Sequence, residues 1–269
     1  SISVLELSSF ALEGCYWEKV SPSIAAITNI YADHQDRYKT IEMYMSDKAA
    51  IFLFQKPEDQ LFLNSQNTWT EAFTSQATSH TTLVDPQTVE ELDALQLKGE
   101  HNRWNAAFAI QIAKMFDIDS ERIRHSLQTF QGAPFRQQVV GTAKGKTFVN
   151  DSTSTTPEAV MAALATLPRA CFIIGGTTKK LPLEKLVHFL EEYQGTVVLL
   201  KGSGTSELLP LLEKKLPVFD SLKDAFRAAT ETSETEIVFS PGFTSFELFK
   251  NEFDRAEQFN QLVEEYNTF

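Results

Sequence analysis

The residues best able to do chemistry in this 269-residue chain fall into two groups. In the leading half, Glu6 interrupts the apolar run Val4-Leu5-Glu6-Leu7, His34 lies in the polar stretch Ala32-Asp33-His34-Gln35-Asp36-Arg37, and Lys48 follows on a helix. Asn102 and Asn105 are three apart, hence on one helix face. There two carboxamides could offer donors and acceptors to a nucleobase edge, although one of them would also make an ordinary N-cap. In the trailing half three loops have an unusual composition: Asp151-Ser-Thr-Ser-Thr-Thr156, Gly175-Gly-Thr-Thr-Lys-Lys180 and Ser240-Pro-Gly-Phe-Thr-Ser245. Hydroxyls, glycine amides and a lysine at helix N-termini make an anion site. Any one loop could be a plain capped turn; three on one sheet edge are harder to dismiss. Gly202-Ser203-Gly204 reads as a plain turn, since G-x-G alone is weak.

The elements that must position these residues follow from pattern. Residues 23–30, SIAAITNI, are β-branched and apolar and read as a buried parallel strand. The loop carrying His34 leaves its carboxyl end, where open α/β sheets bind ligands. The next helix takes Thr40 as N-cap and Glu42 in its first turn, where an acid favours the helix dipole. Its apolar stripe runs Ile41, Tyr44, Met45, Phe52, and Lys48 stands where the stripe expects an apolar residue. Either Lys48 snorkels its charge to water, or it shares a crevice with His34 and does chemistry there. Residues 4–10 read as a strand, in which Glu6 would ordinarily point to solvent. Short strands are expected at 61–64 and 81–84, with a short helix in the variable surface between them. Further helices are expected from about 100 and over 120–130, and residues 131–134 read as a linker. Beyond it, strands at 147–150, 171–174, 196–200 and 236–239 alternate with helices at 157–167, 183–193, 206–214, 221–230 and 253–266. That alternation predicts a doubly wound parallel sheet, whose strand ends would bring the three polar loops together.

Composition narrows the function class. With 42% apolar residues the chain can bury a sizeable core. Its 24 basic and 36 acidic residues give a net charge of −12, which argues against nonspecific nucleic-acid binding. Cys15 and Cys171 are too few for a disulfide framework and are expected reduced and buried. No apolar run approaches a membrane span and no signal peptide is present, so a cytoplasmic address is expected. No strand leads into G-x-G-x-x-G followed by an acid, which disfavours a dinucleotide-dependent dehydrogenase. G-x-x-x-x-G-K-[ST] is absent too, and the first residues read as a strand already under way. The chain is therefore expected to be the latter part of a longer protein.

The motifs converge on one family. The strand followed by N-x-x-x-D-H-x-D-R and a helix with Y-x-x-x-K, the segment LELSSF, and G-x-H-N-x-x-N resemble the central domain of the Mur ligases. These are ATP-dependent amide-forming enzymes of peptidoglycan precursor synthesis. APFRQQVV, NDSTSTTP, GGTTK and SPGFTSFELFKNEFDR resemble their C-terminal domain, the last being similar to the D-glutamate-adding branch. The resemblance implies an α/β architecture with two parts. Residues 1–132 would be the latter part of a central ATP-binding domain, and 133–269 a doubly wound, Rossmann-like domain that binds the amino acid.

It also implies roles for single residues. Glu6, His34 and Lys48, the last carbamylated to a carboxylate, would hold magnesium, with two ions expected, and serve catalysis. Asn102 and Asn105 would lie by the adenine of ATP, Arg136 by its phosphates and Asp151 by its ribose. Ser8 would lie near the nucleotide substrate, UDP-N-acetylmuramoyl-L-alanine. Thr155, Lys179, Ser245, Phe246 and Phe253 would surround D-glutamate. Ala11, Phe135 and Thr153 depart from the residues usual in the family. A monomer is expected, without nucleic-acid or membrane partners, and the chain alone is expected not to turn over.

Overall fold

The computed structural model describes residues 2–30 and 38–268. The chain divides into two compact units, Ser1–Phe130 and Gln131–Phe269.

The first unit carries α1 (Ser9–Glu18), β1 (Ile24–Ile27), α2 (Ile41–Ala49), β2 (Gln60–Asn64), α3 (Thr70–Gln76), β3 (His80–Val84), α4 (Glu100–Lys114) and α5 (Ser120–Thr129). Its sheet is parallel throughout, in the order β1-β2-β3, with Ala25 opposite Leu61 and Leu61 opposite Thr81. Successive strand residues face opposite sides. Ala25, Ile27, Leu61 and Leu63 pack with Tyr44, Met45 and Phe52 of the α2 region. Phe62 and Val84 pack instead with Ala107, Phe108 and Ile110 of α4. The helix ends follow capping chemistry: the Thr40 hydroxyl accepts from the Met43 amide and the Asp119 carboxylate from the Arg122 amide. At α4 the cap is Gly99, at φ 97°, rather than either asparagine. A backbone in that left-handed region favours glycine, and the tight entry leaves Asn102 in the first turn of the helix rather than at its cap. Behind α4 and α5, buried Glu91 accepts from Lys114 and Ser120. These bonds hold its carboxyl at about 2, far below its ordinary range.

The strand expected at residues 4–10 does not form. Residues 2–8 are irregular, Val4 and Leu5 are 93% and 74% exposed, and α1 begins at Ser9. A strand exists only as one side of a ladder. Among the described residues β1 ladders with β2, and no described segment pairs with residues 2–8.

The second unit is built from β4 (Gln138–Ala143), β5 (Lys146–Asn150), α6 (Pro157–Thr166), β6 (Cys171–Ile174), α7 (Glu184–Glu192), β7 (Thr196–Leu200), α8 (Ser203–Leu208), β8 (Val218–Phe219), α9 (Leu222–Thr230), β9 (Glu236–Phe239) and α10 (Glu252–Thr268). The six-stranded sheet has the order β4-β5-β9-β6-β7-β8, parallel except for β4. Helices cover both faces. Phe172, Ile174, Val197, Leu199 and Val238 pack with α6 and α7 on one side. Phe148, Cys171, Ile173, Val198 and Phe239 pack with α9 and α10 on the other. This is the doubly wound arrangement, and β9 returns to fill the gap between β5 and β6. The strands that end in the three polar loops are therefore immediate neighbours.

One strand here was not expected, and two local expectations give way. β4 enters as a hairpin arm on β5, turned by Lys144 and Gly145 at φ 49° and 77°, the two positive values that a tight hairpin turn needs. The helix expected at 206–214 is α8, over Ser203–Leu208, followed by a short 3-10 turn at Leu209–Leu211. Pro210 has no amide to continue an α-helix and breaks it. Gly202-Ser203-Gly204 is not a plain turn but the start of α8, pressed against the loop after β6. A Cβ on Gly202 would stand 2.2 Å from the Gly176 carbonyl oxygen.

Candidate active site

The loop after β5 is shaped by Asn150 and Asp151. The Asn150 side chain donates to the carbonyl of Ala256 on α10 and accepts from the Ser152 amide at 3.1 Å. Asp151 is 7% exposed, and its two oxygens accept from the Gln137 amide at 3.0 Å and the Ser240 hydroxyl at 2.5 Å. Burial pushes its carboxyl up to about 6, partly offset by those two donors and by the charge of Arg136. Thr156 caps α6, with Pro157 at the first helical position.

The loop after β9 joins its neighbours through backbone bonds. Gly242 donates to the Ser154 carbonyl at 3.0 Å, and Gly175 donates to the Pro241 carbonyl at 2.9 Å. Thr177 and Thr244 exchange both amide–carbonyl bonds, at 2.9 and 3.0 Å, and the Thr244 hydroxyl also donates to the Thr177 carbonyl. Arg255 of α10, 0% exposed, reaches two of the loops at once. Its guanidinium donates to the Phe243 carbonyl at 2.9 Å and to the Ser152 carbonyl at 2.7 Å. Burial lowers it to about 10, so it keeps its charge at neutral pH.

The three loops thus form one assembly. Lys179 projects toward the loop after β5, its Nζ 3.4 Å from the Thr155 hydroxyl. A small recess opens there, lined by Thr155, Pro157, Thr178, Lys179, Gly242 and Phe243. Ser245 is buried at the root of the turn into α10, and its carbonyl accepts from the Leu248 and Phe249 amides. Phe246 and Phe253 are 69% and 55% exposed, and the Phe253 ring meets Phe135 edge-on at 6.4 Å. Arg136 is exposed on the segment that Asp151 holds through Gln137. Thr153 donates to the Phe135 carbonyl at 2.8 Å, so it pins this segment to the loop after β5. Chemically the assembly offers an ammonium at Lys179 and hydroxyls, with exposed aromatic rings at Phe246 and Phe253 on the segment leading into α10. That set suits a small molecule bearing carboxylates.

The site residues of the first unit do not gather in the same way. Glu6 is exposed on the irregular segment before α1, and the hydroxyl of Ser8 accepts from the Ala11 amide as the α1 cap. Lys48 is half-buried on α2, its Nζ 5.0 Å from the centre of the Tyr44 ring, a cation–π contact. Asn102 donates to the Lys98 carbonyl at 2.7 Å, and Asn105 is exposed one turn further along α4. His34 lies outside the described residues. Among the described residues, no three His, Cys, Asp or Glu side chains stand together as a metal site would need.

Sequence reasoning missed Arg255, Ser240 and the Thr177–Thr244 pairing. Arg255 ends the quoted C-terminal motif, yet its burial could not be read from a stretch as polar as NEFDR.

Known proteins resemble this chain in sequence and in fold. Residues 1–85 match the Mur ligase middle domain. The UDP-N-acetylmuramoylalanine–D-glutamate ligase of Roseiflexus sp. (strain RS-1) is 34% identical over 98% of this chain and 65% of its own length. That of Aquifex aeolicus (strain VF5) is 30% identical over 98% of this chain and 66% of its own. The chain therefore spans slightly less than two thirds of these relatives. Among solved structures, MurF from Acinetobacter baumannii superposes with a TM-score of 0.72 at 19% identity, covering 95% of this chain and 62% of that one. MurF ligase from Thermotoga maritima in complex with ADP gives 0.72 at 18% identity, covering 97% and 66%. With a matched middle domain over residues 1–85, relatives aligned along nearly its whole length and the same fold, the chain is similar to the Mur ligases.

Proposed function

We propose that this chain serves an ATP-dependent ligase of peptidoglycan precursor synthesis, which joins D-glutamate to UDP-N-acetylmuramoyl-L-alanine. Residues 1–132 act in ATP binding and residues 133–269 bind the amino acid. The observation that carries this reading is the alignment of 98% of the chain with relatives named for that reaction. The three-loop assembly supports it.

In this reaction the L-alanine carboxylate takes the γ-phosphoryl group of ATP, giving an acyl phosphate and ADP. The amine of D-glutamate then attacks the carbonyl carbon, the C–O bond to phosphate breaks, and the amine loses its proton as the amide forms. Asn102 and Asn105 meet the adenine, Arg136 the phosphates and Ser8 the nucleotide substrate, while Asp151, put forward for the ribose by its motif, spends its oxygens on Gln137 and Ser240 and shapes the loop. Lys179 pairs a carboxylate of D-glutamate, Thr155 and Ser245 orient it, and Phe246 and Phe253 flank it. Held this way, the amine meets its carbonyl as an effectively intramolecular nucleophile. A hard divalent cation supplies charge neutralisation at the phosphates. Glu6, His34 and a carbamylated Lys48 are put forward for it by sequence motif alone. The described residues assemble no such cluster, and no step here runs through it. None of the described helices is long and apolar enough to cross a membrane.

Calorimetric titration of the chain with D-glutamate tests the reading. Binding is expected for D-glutamate and weaker by tenfold or more for L-glutamate and for D-alanine. Lys179→Met should abolish it. Equal binding of all three amino acids, or full binding by the variant, would overturn the assignment.

A further inference from the structure

Lys179 is flanked by Thr178 and Lys180, and one carboxylate holds both flanks. Glu207, on α8 behind the loop, accepts from the Thr178 hydroxyl through Oε2 at 2.7 Å and pairs with Lys180 Nζ through Oε1. The Lys180 amide donates to the Thr178 hydroxyl at 2.9 Å, and Lys180 sits at φ 57°. That is a left-handed kink for a residue with a side chain, and it persists only where surroundings impose it. The kink sends Lys180 back toward α8 while Lys179 runs the other way, to within 3.4 Å of Thr155.

The first turn of α8 supplies the rest of the grip. The Ser203 hydroxyl accepts from the Thr178 amide at 3.1 Å, and Gly204 donates to the Gly176 carbonyl at 2.9 Å. Glu247, two residues beyond Ser245, accepts from the Ser203 amide at 2.8 Å and gives its own amide to the Thr177 hydroxyl at 3.0 Å. The bond from Lys180 and then that from Thr178 hold the Glu207 carboxyl below its usual range, so the grip stays charged at neutral pH.

We infer that Glu207 is a positioning residue. By holding Thr178 and Lys180 against α8, it fixes the direction in which the Lys179 ammonium meets a bound carboxylate. Its carboxylate is engaged by Thr178 and Lys180. It acts through the loop, and its assignment to D-glutamate rests on the function proposed above.

Two measurements on Glu207→Ala and Glu207→Asp separate this inference from that reading. Amide hydrogen exchange of residues 176–180, with no ligand present, should speed tenfold or more in Glu207→Ala and return toward the parent rate in Glu207→Asp, with melting temperatures close to the parent. D-glutamate affinity should fall about tenfold in Glu207→Ala and recover partly in Glu207→Asp. Unchanged exchange in a folded Glu207→Ala protein would overturn the grip. Faster exchange with undiminished affinity would overturn its positioning of Lys179. If the parent chain takes up no D-glutamate, the proposed function falls and the exchange rates alone decide the grip.

Discussion

Asp151 shows how one side chain serves both shape and charge. Both its oxygens are spent on holding the loops, yet the carboxyl sits at about 6 instead of 3.8 because burial outweighs those bonds. An acid whose folded value is raised binds its proton more tightly in the folded state. Its cost to stability is therefore absent below pH 3.8, grows as pH rises toward 6, and is constant above that. The size is on the order of 2–3 kcal/mol. Urea unfolding of Asp151→Asn should lack this decline between pH 4 and 6, when compared with the parent. A parallel pH profile in the two proteins would contradict the assignment. Little of this was legible in the sequence. The motif nominates Asp151 for the ATP ribose, but whether its oxygens face a ligand or the neighbouring loops depends on Ser240 and Gln137, far away in sequence. Lys48 is similar: the stripe on α2 foretells a lysine among apolar residues, and only coordinates bring its Nζ over Tyr44.

Among the elements, the buried parallel strands were the most legible. Cys171–Ile174, Thr196–Leu200 and Glu236–Phe239 are short β-branched runs between turn signals, and they form where pattern puts them. Elements that depend on distant partners were not. Residues 2–8 have strand composition but no described ladder to join, while β4 has a weak pattern broken by a bulge near Gly141 and is fixed by its hairpin. Likewise Gly202 and Gly204 look like a loose turn until α8 is seen against the loop it shapes. A Cβ at Gly204 would come within 2.2 Å of the Phe243 ring. Phe243 belongs to the buried core, so that ring has little room to retreat. Gly204→Ala should lower stability by about 1–3 kcal/mol in urea titration, and an unchanged midpoint would show that the contact can relax.

At the scale of the whole molecule, the return of β9 between β5 and β6 makes a site out of three separate loops. The sequence supplies three polar stretches at strand ends, but nothing local states that their strands are neighbours. That follows from the order β5-β9-β6. The chain's charge of −12 adds a second constraint, since an anionic substrate must be drawn by local donors against the general field. In the proposed reading Lys179 and Arg136 would meet that need, with Arg255 and Glu207 keeping the loops in shape. The most direct test is an amide NMR titration of the isotope-labelled chain with D-glutamate. Saturable shifts concentrated in residues 151–156, 175–180 and 240–247, all with one dissociation constant, are expected. Shifts confined to a single loop, or centred on another part of the chain, would contradict a three-loop site.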